Sequence, residues 1–376
     1  MSSVATDEDR TGLRRALELA ERGRGGVSPN PLVGALIVGA GGELLGEGHH
    51  ARLGEAHAEV AAIADCRGRG HDPAGATMYV SLEPCAHQGR QPPCTDAVLA
   101  AGIARVVIGC DDPSEKASGR GPGILRDEGL EVAFADGAEA AAARLQNQPF
   151  RKHARTGRPL VTLKSAVSLD GFTATASGDS RWISGASSRA LVHRWRAESD
   201  AVAVGIGTAL ADDPLLTARE VELPDVCQPA RVVFDSTARL PLDSALVRSV
   251  DQAPLYVLVA ADADPARVAA LREAGAEPIE LAGDRERRLA TALDELGGRA
   301  ITSLLVEGGA ELAGSLLRSG EVDELRTFVA PVVLGGGLPL ASGPGAERVA
   351  DAAKPLACEW EPSGEDMLAR ARLREW

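Results

Sequence analysis

The sequence contains no long apolar run. Its first residues, MSSVATDEDRTGLRRALELAERG, lack a charged segment followed by an apolar one, and no later stretch approaches the roughly 18 consecutive apolar residues of a membrane-spanning helix. The pattern therefore indicates neither a secretory signal nor a membrane anchor. We expect a soluble, cytoplasmic protein that does not bind membranes.

Positive charge is also scarce. The 40 Lys and Arg residues stand against 54 Asp and Glu residues, which gives a net charge of −14, and both halves of the chain share the acidic excess. Nucleic-acid binding draws much of its affinity from a basic face that neutralises phosphates, and an acidic domain supplies such a face only as a local patch. We expect a small-molecule partner and no nucleic acid.

Cysteine is used sparingly, with six residues in 376. In a chain without a secretory signal, the reducing cytosol keeps thiols free and available for metal binding or catalysis, so disulfides are not expected. Two of the six cysteines, Cys85 and Cys94, each follow a proline. The other four have no partner spacing and are interpreted as packing residues: Cys66, Cys110, Cys227 and Cys358.

The length favours two domains, because 376 residues exceed the usual size of one hydrophobic core. A short basic stretch with Pro and Gly, from Gln148-Pro149 to Arg158-Pro159, interrupts the pattern of strands and helices. We place the boundary there, with a first domain over residues 1–150 and a second domain over residues 158–376.

Both halves alternate strand-like and helix-like segments. The first half predicts a hairpin through Gly41-Gly42, helices over residues 9–22, 56–66 and 95–101, and strands over residues 33–38, 43–48, 77–82 and 105–110. Crossovers of this kind favour a mainly parallel sheet with helices on both faces. The second half predicts helices over residues 187–197, 265–274 and 310–317, and strands over residues 160–166, 201–204, 231–235, 255–260 and 303–307.

One motif in the first half carries specific chemistry. His57-Ala58-Glu59 is followed by Glu83-Pro84-Cys85 and by Pro93-Cys94. One imidazole and two thiolates give Zn²⁺ three ligands and leave one position open for water. Glu59 is then free to take a proton from that water and return it to a leaving amine. His57 and Glu59 can converge only at the start of a helix, since residues two apart on a regular helix do not share a face.

The spacing leaves other interpretations open. The His and the two Cys residues are compatible with ordinary packing, and a structural zinc site would need a fourth ligand, for which His87 is the nearest candidate. The general zinc-deaminase signature is H-x-E with P-C-x-x-C. This chain has a longer loop between the thiols, and its residues His87, Gly89 and Arg90 suit a substrate anion.

The second half has two junctions where a strand meets a glycine turn and then a helix. They are Gly205-Ile206-Gly207-Thr208 and Glu307-Gly308-Gly309-Ala310. Glycines there let the backbone approach a pyrophosphate, and the helix that follows offers free N–H groups. Neither junction is a complete dinucleotide fingerprint, and ordinary tight turns would give the same sequence.

These motifs closely resemble the bifunctional deaminase/reductase family of riboflavin biosynthesis. The resemblance begins with Pro29-Asn30-Pro31-Leu32-Val33-Gly34, the His-Ala-Glu motif and residues 81–94. It continues through Ser168-Leu169-Asp170-Gly171, Ser177-Gly178-Asp179-Ser180-Arg181-Trp182-Ile183, Ala211-Asp212-Asp213-Pro214-Leu215-Leu216-Thr217, Val306-Glu307-Gly308-Gly309 and Val333-Leu334-Gly335-Gly336-Gly337. It thus covers nearly the whole chain.

For the first half, the resemblance implies a cytidine-deaminase-like, three-layer α/β domain. It implies that zinc is bound by His57, Cys85 and Cys94 and that Glu59 is the proton donor. The implied substrate is 2,5-diamino-6-(5-phosphoribosylamino)pyrimidin-4-one, held by Asn30, His49, His87 and Arg90.

For the second half, the resemblance implies a dihydrofolate-reductase-like α/β domain that reduces the ribosyl group to ribityl with NADPH. It implies a dimer or tetramer of identical chains. The implied NADPH-binding residues are Ala166, Trp182, Thr208, Asp212, Ser236, Gly309, Ala310, Glu311, Leu312, Ala313, Gly314 and Ser315. The implied substrate-binding residues are Ser180, Arg196, Leu216, Arg219 and Glu307, with Lys164 as a further candidate.

Physical chemistry suggests roles for some of them. Arg196 and Arg219 suit a 5-phosphate through their fork-like donors, while Glu307 suits sugar hydroxyls. Two rival functions remain open at this stage. One is a nucleic-acid base deaminase with an unrelated nucleotide-binding domain, and the other is a non-catalytic module that binds zinc or nucleotides.

Overall fold

A computed structural model describes residues 3–4, 6–88, 91–221 and 227–376. The chain divides into two units, Met1–Gly157 together with Trp376, and Arg158–Glu375. Within the described ranges, no helix has both the length and the apolar character needed to cross a membrane.

The first unit contains six strands and six helices among the residues described. The strands are β1 (Ser3–Val4), β2 (Gly34–Val38), β3 (Leu44–His49), β4 (Thr77–Val80), β5 (Arg105–Ile108) and β6 (Glu131–Phe134). The helices are α1 (Asp7–Ala20), α2 (Ala58–Gly68), α3 (Cys94–Ala100), α4 (Arg120–Asp127), α5 (Gly137–Gln146) and α6 (Gln148–Thr156).

The six strands form one sheet in the order β1-β6-β5-β4-β2-β3. Strands β1, β6, β5 and β4 run parallel, whereas β2 pairs antiparallel with both β4 and β3. The predicted hairpin at Gly41-Gly42 is therefore confirmed. The sheet is mixed because this hairpin places two adjacent strands in opposite directions.

Alternating apolar residues pack the two faces of this sheet. Leu36, Tyr79 and Val107 point to one face with Leu13 of α1, and the residues between them point to the other face with α2, α3 and α4. Helices thus cover both faces and give three layers. Each fully buried Val, Leu or Ile contributes about 1.5–3 kcal/mol relative to an exposed side chain.

Helix α2 lies unusually close to the sheet because two facing positions of β3 are glycine. A Cβ atom on Gly46 would lie 2.6 Å from the Ala62 carbonyl oxygen, and one on Gly48 would lie 2.4 Å from the Ala62 nitrogen. Any larger residue would push α2 away from the sheet. The start of α2, which carries the His-Ala-Glu motif, is therefore held at a fixed distance from β3.

The second unit has eleven strands and six helices in its described residues. The strands are β7 (Leu160–Val167), β8 (Phe172–Ala174), β9 (Ala201–Gly205), β10 (Ala230–Phe234), β11 (Leu255–Ala260), β12 (Glu277–Leu281), β13 (Ser303–Glu307), β14 (Glu324–Val329), β15 (Leu338–Pro339), β16 (Ala357–Ser363) and β17 (Asp366–Arg372). The helices are α7 (Ala186–Glu198), α8 (Ile206–Asp212), α9 (Ala245–Arg248), α10 (Pro265–Glu273), α11 (Arg285–Gly298) and α12 (Ala310–Arg318).

Nine of these strands form a sheet in the order β12-β11-β10-β9-β13-β7-β14-β17-β16. The strands from β12 to β14 are parallel, and β17 and β16 extend the sheet antiparallel. Apolar clusters cover both faces, one around Trp195 and Phe328 and the other around Leu163 and Val306. Because the central strands are parallel, their carboxyl ends meet at one edge of the sheet.

The stretch that interrupts the sequence pattern is helical. Residues Gln148–Thr156 form α6, with Pro149 in its first turn, and the left-handed Gly157 ends it. Proline is compatible with the first turn because the N–H it lacks has no partner within the helix there. Pro and Gly had suggested a stretch without regular structure between two domains. Here they mark the two ends of a helix.

Candidate functional site

The His-Ala-Glu motif and the two Pro-Cys segments come together in the first unit. His57 is the extended residue that precedes α2, Cys94 begins α3 after Pro93, and Cys85 lies in the loop after β4. The His57 Nδ1 atom is 3.2 Å from the Cys94 Sγ atom and 3.5 Å from the Cys85 Sγ atom. All three potential ligand atoms lie within 4.8 Å of one another.

This donor set fits zinc. Among the described residues, His57, Cys85 and Cys94 are the group of His, Cys, Asp or Glu that converges closely enough to hold a metal ion. One nitrogen and two sulfur donors are the ligands that Zn²⁺ prefers, and three protein ligands leave a position for water. Hydrogen bonding between the two thiols lowers the pKa of Cys85, with burial opposing the shift and His57 adding to it. The same hydrogen bonding raises the pKa of Cys94.

Glu59 lies in the first turn of α2, beside the three donors. Its side chain is buried, with 3% of the residue exposed. Burial and then the negative charge of Cys85 raise its pKa to about 7. A carboxyl group in this setting can take and return a proton near neutral pH.

His50 is a site residue that the sequence reasoning missed. Its Nδ1 atom lies 3.1 Å from the Ala56 carbonyl oxygen, its Nε2 atom lies 3.1 Å from the Asn30 side-chain amide, and its ring meets the His57 ring edge-on at 5.3 Å. A proton donated from Nδ1 to the carbonyl leaves Nε2 as an acceptor for Asn30. Asn30 and His50 are thus linked next to the His57 ligand.

The structure does not bring His49, which was predicted to bind substrate, to the His57-Cys85-Cys94 cluster. His49 shares a face of β3 with Glu47, whose carboxylate contacts Arg15 of α1 at 2.9 Å. Gly46 and Gly48 point to the opposite face, towards α2. The pleat of β3 therefore directs His49 away from the His-Cys-Cys cluster, and counting strand residues from the two glycines is the signal that identifies His50 instead.

The loop between the thiols is described only in part. His87 is half-buried, and its buried Nδ1 atom has no hydrogen-bond partner among the described residues. Such an atom needs a partner, and a polar ligand would supply one. Arg90, also predicted to bind substrate, lies outside the described residues together with Gly89.

Glu83 of the Glu-Pro-Cys segment shapes the loop that follows β5. Its carboxylate is buried and accepts hydrogen bonds from the Gly119 N–H at 2.7 Å and the Asp112 N–H at 3.4 Å. Burial raises its pKa, and the two backbone N–H groups oppose that rise. The sequence showed Glu83 only as part of the ligand motif. In the structure it also holds the loop of residues 112–119 through these two hydrogen bonds.

The second unit contains a cavity of about 1520 Å³ at the carboxyl edge of its parallel strands. Both glycine junctions face this cavity. Gly308 and Gly309 have left-handed backbone angles, with φ of 83° and 89°, which favour glycine. Backbone N–H groups at such junctions suit a pyrophosphate.

Nearly all residues predicted to bind NADPH line this cavity. Trp182 is 72% exposed, and the Arg189 guanidinium lies 4.6 Å from its ring centre. The predicted residues that line the cavity are Ala166, Trp182, Thr208, Asp212, Ser236, Gly309, Ala310, Glu311, Leu312, Ala313 and Ser315.

The exception is Gly314, which does not line the cavity. It is buried on α12, and a Cβ atom there would lie 1.9 Å from the Ser342 carbonyl oxygen. Successive helix residues point in different directions, so a run of seven residues cannot all face one ligand. Gly314 allows α12 to pack closely against residue 342.

The residues predicted to bind the reductase substrate also line the cavity: Lys164, Ser180, Arg196, Leu216, Arg219 and Glu307. His193, which was not predicted, lies among them and contacts the Thr217 carbonyl oxygen through Nδ1 at 3.2 Å. It stands one helical turn before Arg196 on α7, so its helix position is the signal that could have identified it.

Arg196 and Glu307 form an ion pair whose side chains are largely buried, 14% and 10% exposed. The Arg196 Nε and Nη2 atoms donate to the two Glu307 oxygens at 2.6 and 2.9 Å, and Nη1 donates to the Thr217 carbonyl oxygen. The expected separate roles, a phosphate on Arg196 and sugar hydroxyls on Glu307, do not fit this arrangement because the guanidinium is already engaged. Arg219 is exposed to the cavity and is the better placed of the two arginines for a phosphate.

Lys164 lies beside this pair. Burial lowers the pKa of Lys164, while Glu307 opposes the shift. Burial raises the pKa of Glu307, but hydrogen bonding from Arg196 outweighs it, and the net pKa is lowered. The carboxylate therefore stays charged between two cations at one end of the cavity.

Both units match known protein families. Residues 6–110 match the cytidine and deoxycytidylate deaminase zinc-binding region, and residues 159–368 match the RibD C-terminal domain. The riboflavin biosynthesis protein RibD of Escherichia coli K12 is 41% identical over 360 residues, which cover 92% of this chain and 94% of the relative. RibD of Actinobacillus pleuropneumoniae is 39% identical over 371 residues, with 98% and 96% covered.

Solved structures agree. RibD of Acinetobacter baumannii superposes with a TM-score of 0.86 at 36% identity and covers 98% of this chain and 99% of its own. A diaminohydroxyphosphoribosylaminopyrimidine deaminase/5-amino-6-(5-phosphoribosylamino)uracil reductase of Thermotoga maritima gives 0.83 at 34% identity with the same coverage. The predicted fold class is confirmed. The chain belongs to the RibD family of bifunctional riboflavin biosynthesis enzymes, with a deaminase domain and a reductase domain.

Proposed function

We propose that the first unit deaminates 2,5-diamino-6-(5-phosphoribosylamino)pyrimidin-4-one at a zinc ion held by His57, Cys85 and Cys94. The second unit then reduces the ribosyl group of the product to ribityl with NADPH. The observation that carries the first assignment is the convergence of three zinc-type donor atoms within 4.8 Å beside a buried glutamate.

The side chains around the donor atoms have separate roles in deamination. Bound zinc would supply a Lewis acid that activates a water molecule. Glu59 takes one proton from that water and returns it to the amino group that leaves as ammonia, while the other proton of the water passes to the ring nitrogen; a carbonyl oxygen thus replaces the amino group with no net oxidation. Asn30, held by His50, and the unpaired nitrogen of His87 orient the pyrimidine.

The second unit binds and orients the reactants of the reduction. NADPH, when bound, supplies the hydride. The glycine junctions support its pyrophosphate, and Lys164 and Glu307, which line the same cavity, offer a cation and a carboxylate to the sugar. Arg196 keeps Glu307 charged and in place, while Arg219 offers a guanidinium to the substrate phosphate.

Similarity that spans both units does not favour a nucleic-acid base deaminase with an unrelated second domain. Cytoplasmic location, a homodimer or homotetramer, and the absence of nucleic-acid or membrane partners stay predictions. Light scattering of the purified chain would test the oligomeric state directly.

The decisive experiment compares the native protein with Glu59→Gln. Each is supplied with the diaminopyrimidine phosphate, Zn²⁺ and NADPH, and ammonia release and NADPH consumption are followed. We expect Glu59→Gln to lower ammonia release by about 10²–10⁴-fold, the usual contribution of a general acid–base group, while zinc content stays unchanged.

Two controls make the result specific. Supplied deaminated product should still be reduced by Glu59→Gln at the native rate, because this residue lies in the first unit. Glu128→Gln, which removes an exposed carboxylate at the end of α4, should leave both reactions unchanged. Simultaneous loss of both reactions in Glu59→Gln would contradict the assignment of two separate sites.

A further inference from the structure

His193 is a titratable residue of the cavity that the proposed reaction does not use. It lies on α7 one turn before Arg196, and both residues line the cavity of the second unit. Its Nδ1 atom is 3.2 Å from the Thr217 carbonyl oxygen, which can only accept, so Nδ1 carries a proton. Its Nε2 atom has no hydrogen-bond partner within the described ranges. This nitrogen accepts a hydrogen bond when the ring is neutral and donates one when the ring is protonated.

The segment after Thr217 holds Arg219 beside His193. Gln228 hydrogen-bonds both backbone groups of Ala218, accepting from its N–H at 2.9 Å and donating to its carbonyl oxygen at 2.9 Å. Arg219 is the next residue, and its exposed side chain lines the same cavity. The hydrogen bonds on Thr217 and Ala218 thus fix the backbone between the two side chains.

The charges that face His193 are mostly positive. Burial lowers the pKa of His193, and so do Arg196 of the same helix and Arg219 of the loop. The backbone carbonyl that it contacts and Glu307 of β13 oppose this shift. Arg189, one turn earlier on α7, also lines the cavity. Without a bound anion, the His193 ring is therefore neutral at pH 7.

A phosphate group reverses this balance of charge. A phosphate monoester loses its second proton near pH 6, so it brings about two negative charges to the cavity at neutral pH. A negative charge close to an imidazole favours the protonated ring, and the Nε2 atom then becomes a charged donor. Hydrogen bonds from charged donors to phosphate are stronger than those from neutral donors. A phosphate held by Arg219 can thus gain a second charged donor from His193.

We propose that His193 and Arg219 together bind the phosphate of the reductase substrate, and that the His193 ring takes one proton from solvent as the phosphate enters. The ring returns the proton to solvent when the phosphate leaves, so nothing is oxidised or consumed. This inference rests on the proposed reduction of a phosphoribosyl substrate in this cavity. It adds to that function a dependence of substrate affinity on pH.

Two substrates that differ only in the phosphate test the proposal: the deaminated pyrimidine phosphate and its dephosphorylated counterpart. NADPH consumption by the full-length protein gives kcat/KM for each substrate between pH 7 and pH 9, where the phosphate stays dianionic and arginine stays charged. The ratio of the two kcat/KM values separates binding of the phosphate from the chemistry of reduction. We expect the native ratio to fall by about five- to tenfold from pH 7 to pH 9, because the neutral ring binds phosphate less tightly than the charged one.

His193→Gln keeps a neutral donor at this position but cannot take up a proton. At pH 7 it should lower the ratio by about five- to tenfold, mainly through the KM of the phosphorylated substrate, and the ratio should then stay constant up to pH 9. Its KM for NADPH should be native. Arg194→Gln is the matched control, because Arg194 is a cation of the same helix that is 59% exposed and does not line the cavity. This variant should keep the native ratio and its pH dependence.

A native ratio that is constant from pH 7 to pH 9, or a native pH dependence in His193→Gln, would overturn the proposal and leave the reductase assignment standing. An equal loss for both substrates in His193→Gln would also overturn it, since the residue would then act on the fold and not on the phosphate. A higher KM for NADPH with an unchanged ratio would assign His193 to a cofactor phosphate instead. Failure of the native protein to reduce either substrate would overturn the proposed function and this inference with it.

Discussion

The two units assemble their polar groups over very different distances along the chain. In the first unit, three donor atoms from residues 57–94 lie within 4.8 Å, and the groups are fixed by two helix starts and one loop. In the second unit, a cavity of about 1520 Å³ draws on residues from 163 to 342, and its central ion pair joins Arg196 to Glu307, 111 positions apart.

This difference affects how each site tolerates change. A metal cluster needs each donor, because three ligands are already the minimum for a catalytic zinc. The cavity distributes binding over many backbone and side-chain groups, so single changes there weaken one contact and leave the others. The exception is the largely buried ion pair, where removal of one partner leaves an unpaired charge.

The largest expected effect is the loss of zinc and of ammonia release when a ligand of the His57-Cys85-Cys94 cluster is replaced. Cys94→Ser replaces a thiolate with a poor zinc ligand, and we expect the variant to lose its zinc and about 10³-fold or more of its ammonia release, in line with the contribution of a metal-activated water. Metal analysis and ammonia release measure the two effects. Reduction of supplied deaminated product should continue at the native rate.

Cys358→Ser is the control for that variant, because Cys358 is an exposed thiol on β16. It should change neither zinc content nor either reaction. If Cys94→Ser kept its zinc, the cluster would not be the metal site and the contrast between the two units would fail.

The next effect concerns the ion pair of the second unit. Glu307→Gln leaves the partly buried Arg196 and Lys164 cations without their carboxylate, and loss of a charged hydrogen-bond partner of this kind costs about 1.5–3 kcal/mol. We expect a lower free energy of unfolding of the second unit in urea and loss of reduction, with ammonia release retained.

Glu277→Gln is the matched surface change, since Glu277 is 56% exposed and pairs with Arg299 at 3.1 Å. It should lower the free energy of unfolding by about 1 kcal/mol or less. Equal destabilisation by the two variants would show that Glu307 is no more critical than a surface residue.

The sequence predicted the first site well because its chemistry is local. His57, Glu59 and the two Pro-Cys segments occupy helix starts that the sequence marks directly, and three ligands of the right type are sufficient to suggest the metal. Nine of the 17 strands and six of the 12 helices described were also predicted within a few residues, because buried apolar runs and amphipathic segments can each be recognised locally.

Features that depend on contacts between residues far apart in the sequence could not be predicted. The antiparallel pair β16 and β17 was missed because β16 is mostly exposed and carries little apolar alternation. The Arg196–Glu307 pair depends on the order of strands in the sheet, which no local sequence pattern predicts. His49 was chosen in place of His50 because the two are adjacent, and only the pleat of β3 distinguishes their directions.

The opposite directions of His49 and His50 predict a moderate difference between their variants in the kcat/KM of deamination. His50→Asn removes the acceptor that holds Asn30, and loss of a buried hydrogen bond of about 1–3 kcal/mol should lower the kcat/KM of deamination by about tenfold or more. His49→Asn, on the opposite face of β3, should change kcat/KM by less than about twofold. Steady-state ammonia release measures both, and a larger effect of His49→Asn would contradict the face assignment.

The smallest effect concerns the stability of the first unit and the charge of Asp9 on α1. Burial would raise the pKa of Asp9, but hydrogen bonds from Arg105, at 2.6 and 2.9 Å, and from the Thr6 N–H lower it to about 2, below its usual value of 3.8. A carboxylate whose pKa is lower in the folded state stabilises the fold above the unfolded pKa and loses that contribution as the pH falls through 3.8 towards 2. We expect Asp9→Asn to lower the free energy of unfolding by about 1–2 kcal/mol at pH 7 and to differ little from the native protein near pH 2. Urea titrations followed by hydrogen exchange in α1 and β5 measure the difference, and a constant difference across that pH range would show that the carboxylate charge is not its cause.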